Sequence, residues 1–187
     1  CTDPYAENYN PNATVDDEDC IYPDNGEYSL DFSGSTDAHD LVNIIVNTTD
    51  DFTITGWINY RTADIGNCII GSGSDDYIRL VPSSENSDLI VLGYNSPTGD
   101  NHEGQISIEP NLWHHFAVTR SGTDLSFYID GNFDQSFSDA GPGFNSSLQW
   151  RRMGDNFSSQ HNFDGLIENV TFWDEELDQD KIQENMY

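Results

Sequence analysis

The chain predicts an all-β fold: a two-sheet antiparallel jelly-roll sandwich with a short C-terminal helix and a loop at its N-terminus. Three observations predict it. Residues 112–131 alternate apolar and polar side chains on either side of a tight Ser121-Gly122-Thr123-Asp124 turn, the pattern of a hairpin with one buried face. Short strand-like runs recur along the chain, with Gly, Asn, Asp, Ser or Pro in nearly every gap, the spacing that two packed antiparallel sheets require. A helical pattern is confined to the last dozen or so residues.

The predicted strands are, in order, 41–46, 52–60, 68–72, 77–81, 89–94, 105–108, 113–119, 125–130, 133–137, 148–153 and 166–173. In the central hairpin Trp113, Phe116 and Val118 are expected on the buried side of the first strand. Leu125, Phe127 and Ile129 alternate with Ser126, Tyr128 and Asp130 in the second. Asp130-Gly131-Asn132 supplies the next turn. Residues 177–186 read as a helix with Asp178 as N-cap, its Leu177, Ile182 and Met186 packing against an edge of the sandwich. Residues 1–25 form a separate acidic loop and linker, and 26–187 the sandwich.

Hydrophobic residues make up 35%, enough for one core. Six basic residues face 34 acidic ones, for a formal charge of −28. Such a surface repels nucleic acid and anionic membranes, favours cations, and suits solvation in saline water. No apolar run reaches the ~20 residues of a membrane helix, so no membrane insertion is expected. The chain opens on Cys1 without a visible signal peptide and reads as a processed product or excised piece. Five sequons, at Asn12, Asn47, Asn145, Asn156 and Asn169, permit secretion and glycosylation.

Cys1 and Cys20 bracket a polar loop with no core of its own. A disulfide between them would restrict the unfolded loop by roughly 3 kcal/mol and point to an extracellular setting. The alternative, a lipidated Cys1, would orphan Cys20. Cys68, in the apolar run Asn67-Cys68-Ile69-Ile70-Gly71, reads as a buried free thiol.

Trp113-His114-His115-Phe116-Ala117-Val118-Thr119 followed by Tyr128-Ile129-Asp130-Gly131 resembles the central hairpin of laminin-G-like domains of the concanavalin A-like jelly-roll class. Phe52-Thr53-Ile54-Thr55-Gly56-Trp57-Ile58-Asn59-Tyr60 is similar to that family's early core strand. Tyr28-Ser29-Leu30-Asp31-Phe32-Ser33-Gly34 is similar to its first strand, with Ser33 where an aspartate is common. The segment from Phe163 to Trp173 resembles the closing strand, with Glu168 and Asn169 in place of the usual Asp-Glu pair, and 174–187 resembles the family's terminal helix. Residues 1–20 resemble a cysteine-bracketed repeat found between domains of large bacterial and archaeal surface proteins, with Glu18 and Asp19 replacing its Gly-Ser. The resemblance implies a concanavalin A-like sandwich and a structural calcium between the first and closing strands. Glu168 falls on the family's acidic position in the closing strand, Asp31 and Asp37 lie near the first strand, and Asp164 precedes the closing one. Calcium also suits a chain with surplus oxygen ligands, and Asp16, Asp17 and Asp19 are a second candidate for a cation.

No catalytic constellation emerges. The Glu-x-Asp-x-x-Glu strand of glycoside hydrolases on this fold is missing, and with it the pair of carboxylates that acid–base chemistry on a sugar needs. His114 and His115 are neighbours on one strand and point to opposite faces, so they cannot share a metal. The chain has no phosphate loop, no Gly-x-Ser-x-Gly elbow and no basic patch. Sugar recognition needs an aromatic face beside groups that bond hydroxyls. Trp150 with Arg151 and Arg152 offers one such set, followed by Asp155 and Asn156; Tyr77, Arg79 and Tyr94 offer another. The competing reading puts Trp150 and Met153 in the core and pairs the arginines with carboxylates. Trp57 and Trp113 read as core.

These features predict an extracellular, non-catalytic recognition or adhesion module that binds glycan or a cell-surface protein. The alternative is a self-assembling subunit of a surface layer, filament or virion, bridged by calcium. A divergent hydrolase is the third reading.

Overall fold

The computed structural model describes residues 8, 10–13, 15, 21, 29–34, 37–41, 51–62, 67–73, 76–87, 89–95, 101–138, 152–155 and 161–186, without the side chains of 72, 73, 76 and 95. Cys1, Cys20, Asn47, Asn145, Trp150, Arg151 and Asn156 lie outside the described residues, as do the acidic residues Asp16, Asp17 and Asp19 and most of the strands expected at 41–46 and 148–153.

The described residues form twelve strands and one helix. The strands are β1 (Leu30–Ser33), β2 (His39–Asp40), β3 (Phe52–Tyr60), β4 (Asn67–Gly73), β5 (Asp76–Pro82), β6 (Ile90–Asn95), β7 (Asn101–Glu103), β8 (His114–Ser121), β9 (Asp124–Ile129), β10 (Asn132–Phe137), β11 (Arg152–Met153) and β12 (Asp164–Trp173), and the helix is α1 (Gln179–Glu184). They build two six-stranded sheets, in the orders β1-β12-β3-β8-β9-β10 and β2-β11-β4-β5-β6-β7. Every described pairing is antiparallel. The closing strand β12 inserts between β1 and β3, and the chain crosses repeatedly between the sheets, as the predicted sandwich requires.

Alternation decides the core. Ile54 and Ile58 of β3, Phe116 and Val118 of β8 and Phe127 of β9 meet Ile78, Leu80 and Leu92 of the second sheet, all fully buried in one cluster. Each such side chain stabilises the fold by roughly 1.5–3 kcal/mol through burial. Cys68 is buried in β4, as the sequence predicts.

Three local expectations are corrected. Residues 105–108 run without strand pairing, and the strand near them is β7, at Asn101–Glu103. The reason is a side chain: Asp134 Oδ1 accepts the amides of Gln105 and Ile106 at 2.7 and 2.8 Å, in place of a neighbouring strand. Trp113 precedes β8 and is 37% exposed. The chain turns there at Asn111, whose φ is 62°, so the alternation that buries Phe116 and Val118 does not extend back to Trp113.

The terminal helix is the third. Asp178 is its N-cap and accepts from the Lys181 amide at 2.9 Å, as expected. The helix packs on the outer face of the first sheet rather than at an edge. Leu177 and Ile182 cluster there with Ala117, Tyr128 and Trp173. The Thr53 hydroxyl pins the approach, donating to the Glu175 carbonyl and accepting from the Leu177 amide, each at 2.8 Å.

Candidate functional site

The residues expected to hold calcium lie along the β1–β12 edge. Pairing sets Ser33 opposite Asp164 and Asp31 opposite Leu166. The Arg61 guanidinium donates to Asp31 at 2.6 Å, to Asp164 at 3.3 Å and to the Phe32 carbonyl at 3.0 Å. Asp164 also accepts from the Thr62 hydroxyl at 2.7 Å. Asp37 turns back on Ser33, accepting its hydroxyl and, at 3.1 Å, its amide. Those bonds, the hydroxyl first, hold the Asp37 carboxyl below its ordinary pKa. The bond to Asp31 raises the Arg61 pKa.

Glu168 pairs with Trp57, four residues along β12 from Asp164, which is about 13 Å in a strand. The four predicted ligands therefore do not surround one point, and a guanidinium already neutralises two of them. Among the described residues no group of three or more His, Cys, Asp or Glu side chains is arranged to hold a metal ion. Arg61, absent from the predicted set, is what the sequence reading missed; its partners are thirty and about a hundred residues away in the chain.

The second sheet gathers three of the predicted ligand-binding residues on its outer face. Tyr77 and Arg79 alternate with the core residues Ile78 and Leu80 on β5. Arg152 pairs with Gly71, which pairs with Tyr77, so Arg152 and Tyr77 stand two strands, about 10 Å, apart over a residue with no side chain. The Arg79 guanidinium lies 5.3 Å from the Tyr77 ring centroid. It donates to the Tyr77 hydroxyl at 3.4 Å and to Asn101 Oδ1 at 3.1 Å. Gly93 beneath it brings the Arg79 stem close to the sheet: a Cβ there would meet Arg79 Cγ at 3.7 Å.

Arg152 is already paired, donating to Asp40 at 2.8 Å and to Asp155 at 3.2 Å. Arg79 makes no ion pair among the described residues. Tyr77 does not offer an open stacking platform: its ring is 3% exposed and stacks at 5.4 Å on His161. Tyr94 is excluded from this group because it faces the core, 1% exposed, with Ile78 as its pairing partner. Asn101 and His161 were not legible as members, since other elements carry them to this face.

Trp57, read from sequence as core, stands on the outer face of the first sheet. Its ring meets His115 edge-on at 5.4 Å, and its Nε1 donates to the Met186 carbonyl at 2.9 Å. His114, on the opposite side of β8, bonds Asp130 through Nδ1 at 2.8 Å and accepts the Glu109 amide through Nε2 at 3.2 Å. The two histidines point apart, as the sequence predicts. Asn12 is exposed, and so is Asn169, in a left-handed turn of the backbone at φ 50°.

A cleft of about 430 Å³ lies beside β7 and includes Glu85 and Glu103 in its lining. Glu103 accepts from the Ser84 amide at 3.0 Å. Behind it Asp134 is buried against Gly104, where a Cβ would collide with Asp134 Oδ2, and that burial raises the Asp134 pKa.

Two antiparallel six-stranded sheets, with a terminal helix laid on the outer face of one, define a jelly-roll sandwich. The chain belongs to the concanavalin A-like lectin/glucanases superfamily, whose laminin-G-type family model matches residues 31–183. Several solved structures share the fold. A native heptameric SAP-like pentraxin from Limulus polyphemus is 15% identical, with a TM-score of 0.65 over 83% of this chain and 79% of that one. The CBM40 domain of the Ruminococcus gnavus IT-sialidase is 12% identical, TM-score 0.64, over 83% and 95%, and is also solved with α2,3-sialyllactose. Domain 4 of the Geobacillus stearothermophilus arabinanase AbnA, solved with arabinotriose, is 17% identical, TM-score 0.58, over 83% and 70%. No curated protein matches the chain in sequence. Among the described residues no helix is long and apolar enough to cross a membrane, which says nothing of a β-barrel.

Proposed function

We propose that this protein is a non-catalytic glycan-binding module that works outside the cell, with the outer face of the second sheet as its recognition face. The observation that carries the reading is Arg79. In a chain of 34 acidic and six basic residues, its guanidinium is fixed by Tyr77 and Asn101 and makes no ion pair among the described residues. A guanidinium so placed presents planar donors to sugar hydroxyls or, bidentate, to the carboxylate of an acidic sugar. The Asn101 carboxamide beside it can bond hydroxyls as donor and acceptor.

The comparisons support the reading at the level of class: the Ruminococcus and Geobacillus domains are solved with sialyllactose and arabinotriose. The acidic surface fits an extracellular setting, where it keeps the protein soluble. Glycan-array binding followed by calorimetry tests it. R79A is expected to weaken the best-bound glycan at least tenfold with an unchanged melting temperature, and R79K to recover part of the loss. Release of reducing sugar from any polysaccharide, with no retained binding on the array, would overturn it.

A further inference from the structure

We propose that the outer face of the first sheet holds a second, independent ligand site, built for an uncharged saccharide. It is a cleft of about 400 Å³ between β12 and the segment that follows α1, lined in part by Trp57, His115, Thr55, Thr171, Asn169 and Asn185. That volume is at the lower end of small-ligand sites, room for roughly one or two sugar rings.

The side chains decide the ligand class. In a chain of −28, no aspartate, glutamate, lysine or arginine among the described residues lines this cleft. Its polar groups are two hydroxyls, two carboxamides and an imidazole. Such groups donate to and accept from sugar hydroxyls, and nothing among them neutralises an ionic ligand. The aromatic component is Trp57, whose Nε1 bond to the Met186 carbonyl fixes the indole in advance. A preset ring loses little freedom when a sugar face packs on it.

Two further observations point to a ligand. His115 is 1% exposed, and its Nδ1 has no hydrogen-bond partner among the described residues. A buried polar atom left unpaired is costly to the fold and finds its place at sites where a ligand or water completes it. The wall of the cleft is also shaped by an irregularity. Between Glu168 and Thr171 the pairing of β12 with β3 gains one residue, and Asn169 takes a left-handed conformation, φ 50°. The bulge returns Thr171 to the outer face, opposite Thr55, where it lines the cleft with Asn169 and Val170, and Val170 also packs on the core cluster.

The site is distinct from the Arg79 face, which lies on the other sheet, so the two readings can fail separately. The test is titration of unglycosylated protein with glucose, galactose, arabinose and N-acetylglucosamine, following tryptophan fluorescence and the Trp57 indole NMR signal. Saturable shifts are expected for at least one neutral sugar, with a dissociation constant on the order of 1 mM. W57F should remove the fluorescence response. N169G keeps the left-handed backbone and removes the carboxamide, so it should bind at least tenfold more weakly at unchanged melting temperature. Should W57F not fold, N169G and N185A carry the test. R79A should leave the sugar-induced shifts of the Trp57 indole signal unchanged, whatever it does to binding on the other sheet. The proposal is overturned if no neutral sugar moves the Trp57 indole signal, if N169G and N185A bind as the parent does, or if R79A abolishes the response. It is overturned equally if charged sugars alone bind.

Discussion

His115 lies beneath Trp57, and burial pushes its imidazole pKa from 6.5 down to about 4, against a smaller opposing pull from the Asp130 carboxylate. The unfolded chain therefore takes up a proton near pH 6.5 that the folded chain refuses until about pH 4. The stability this contributes is complete above 6.5 and falls as pH drops toward 4. Between pH 7.5 and 5.5 the loss is about 1 kcal/mol, in a window where ordinary carboxylates stay ionised. Urea melts of the parent and of H115N at both values check it, since the variant should lack that part of the decline. The sequence placed His115 on the opposite face from His114, because alternation in a strand is local. It did not mark His115 as buried, because the cover comes from Trp57 and from the segment after α1.

At the scale of elements, one turn and one edge give predictions. The β9–β10 hairpin turns on Asp130 at φ 51° and Gly131 at φ 69°, the paired positive angles that a two-residue turn of matching twist needs. This turn was legible as Asp-Gly between two alternating runs. A methyl group on Gly131 would also meet Gln183 Cγ and Met186 Sδ, each at 2.8 Å. G131A should therefore lose about 2 kcal/mol, part from the backbone angle and part from displacing the end of α1; a denaturant melt measures it. At the β1–β12 edge, Arg61 bridges two carboxylates and a carbonyl, but with Arg61 39% and Asp31 65% exposed, solvent screens the pair. R61A should cost about 1 kcal/mol, or about 2–4 °C in melting temperature. Amide-exchange protection across β1 should be the same in calcium and in chelator, because the guanidinium already does there what a cation would do. Greater protection of β1 in calcium would refute that account of the edge.

Across the whole molecule, the terminal helix is a third layer on one side of the sandwich. Ile182 is fully buried among Leu177, Ala117 and Tyr128. I182A should cost about 2–5 kcal/mol, readable by thermal or chemical melts. It should also perturb the Trp57 indole signal, because Trp57 bonds the Met186 carbonyl just beyond the helix. A variant that destabilises the chain yet leaves that signal in place would show that the helix and the Trp57 region are uncoupled. The strong negative charge belongs to this scale as well. Against it the described arginines differ by their partners: Arg61 and Arg152 are paired with aspartates, while Arg79 is held by a phenol and a carboxamide.

The amino-acid sequence by itself determined the sandwich, most strand positions, the two hairpin turns, the capped terminal helix and the membership in a lectin-type family. Each of these rests on neighbours in the chain: alternation with a period of two, turn residues at fixed offsets, an N-cap three residues before the amide it receives. Only the tertiary structure decided which carboxylates meet, that Arg61 lies among them, that Tyr77 is covered while Tyr94 turns to the core, and that Trp57 faces outward. Those outcomes depend on register between strands far apart in sequence, where a one-residue bulge in β12 or a single aspartate replacing a strand partner redirects side chains that local periodicity cannot place.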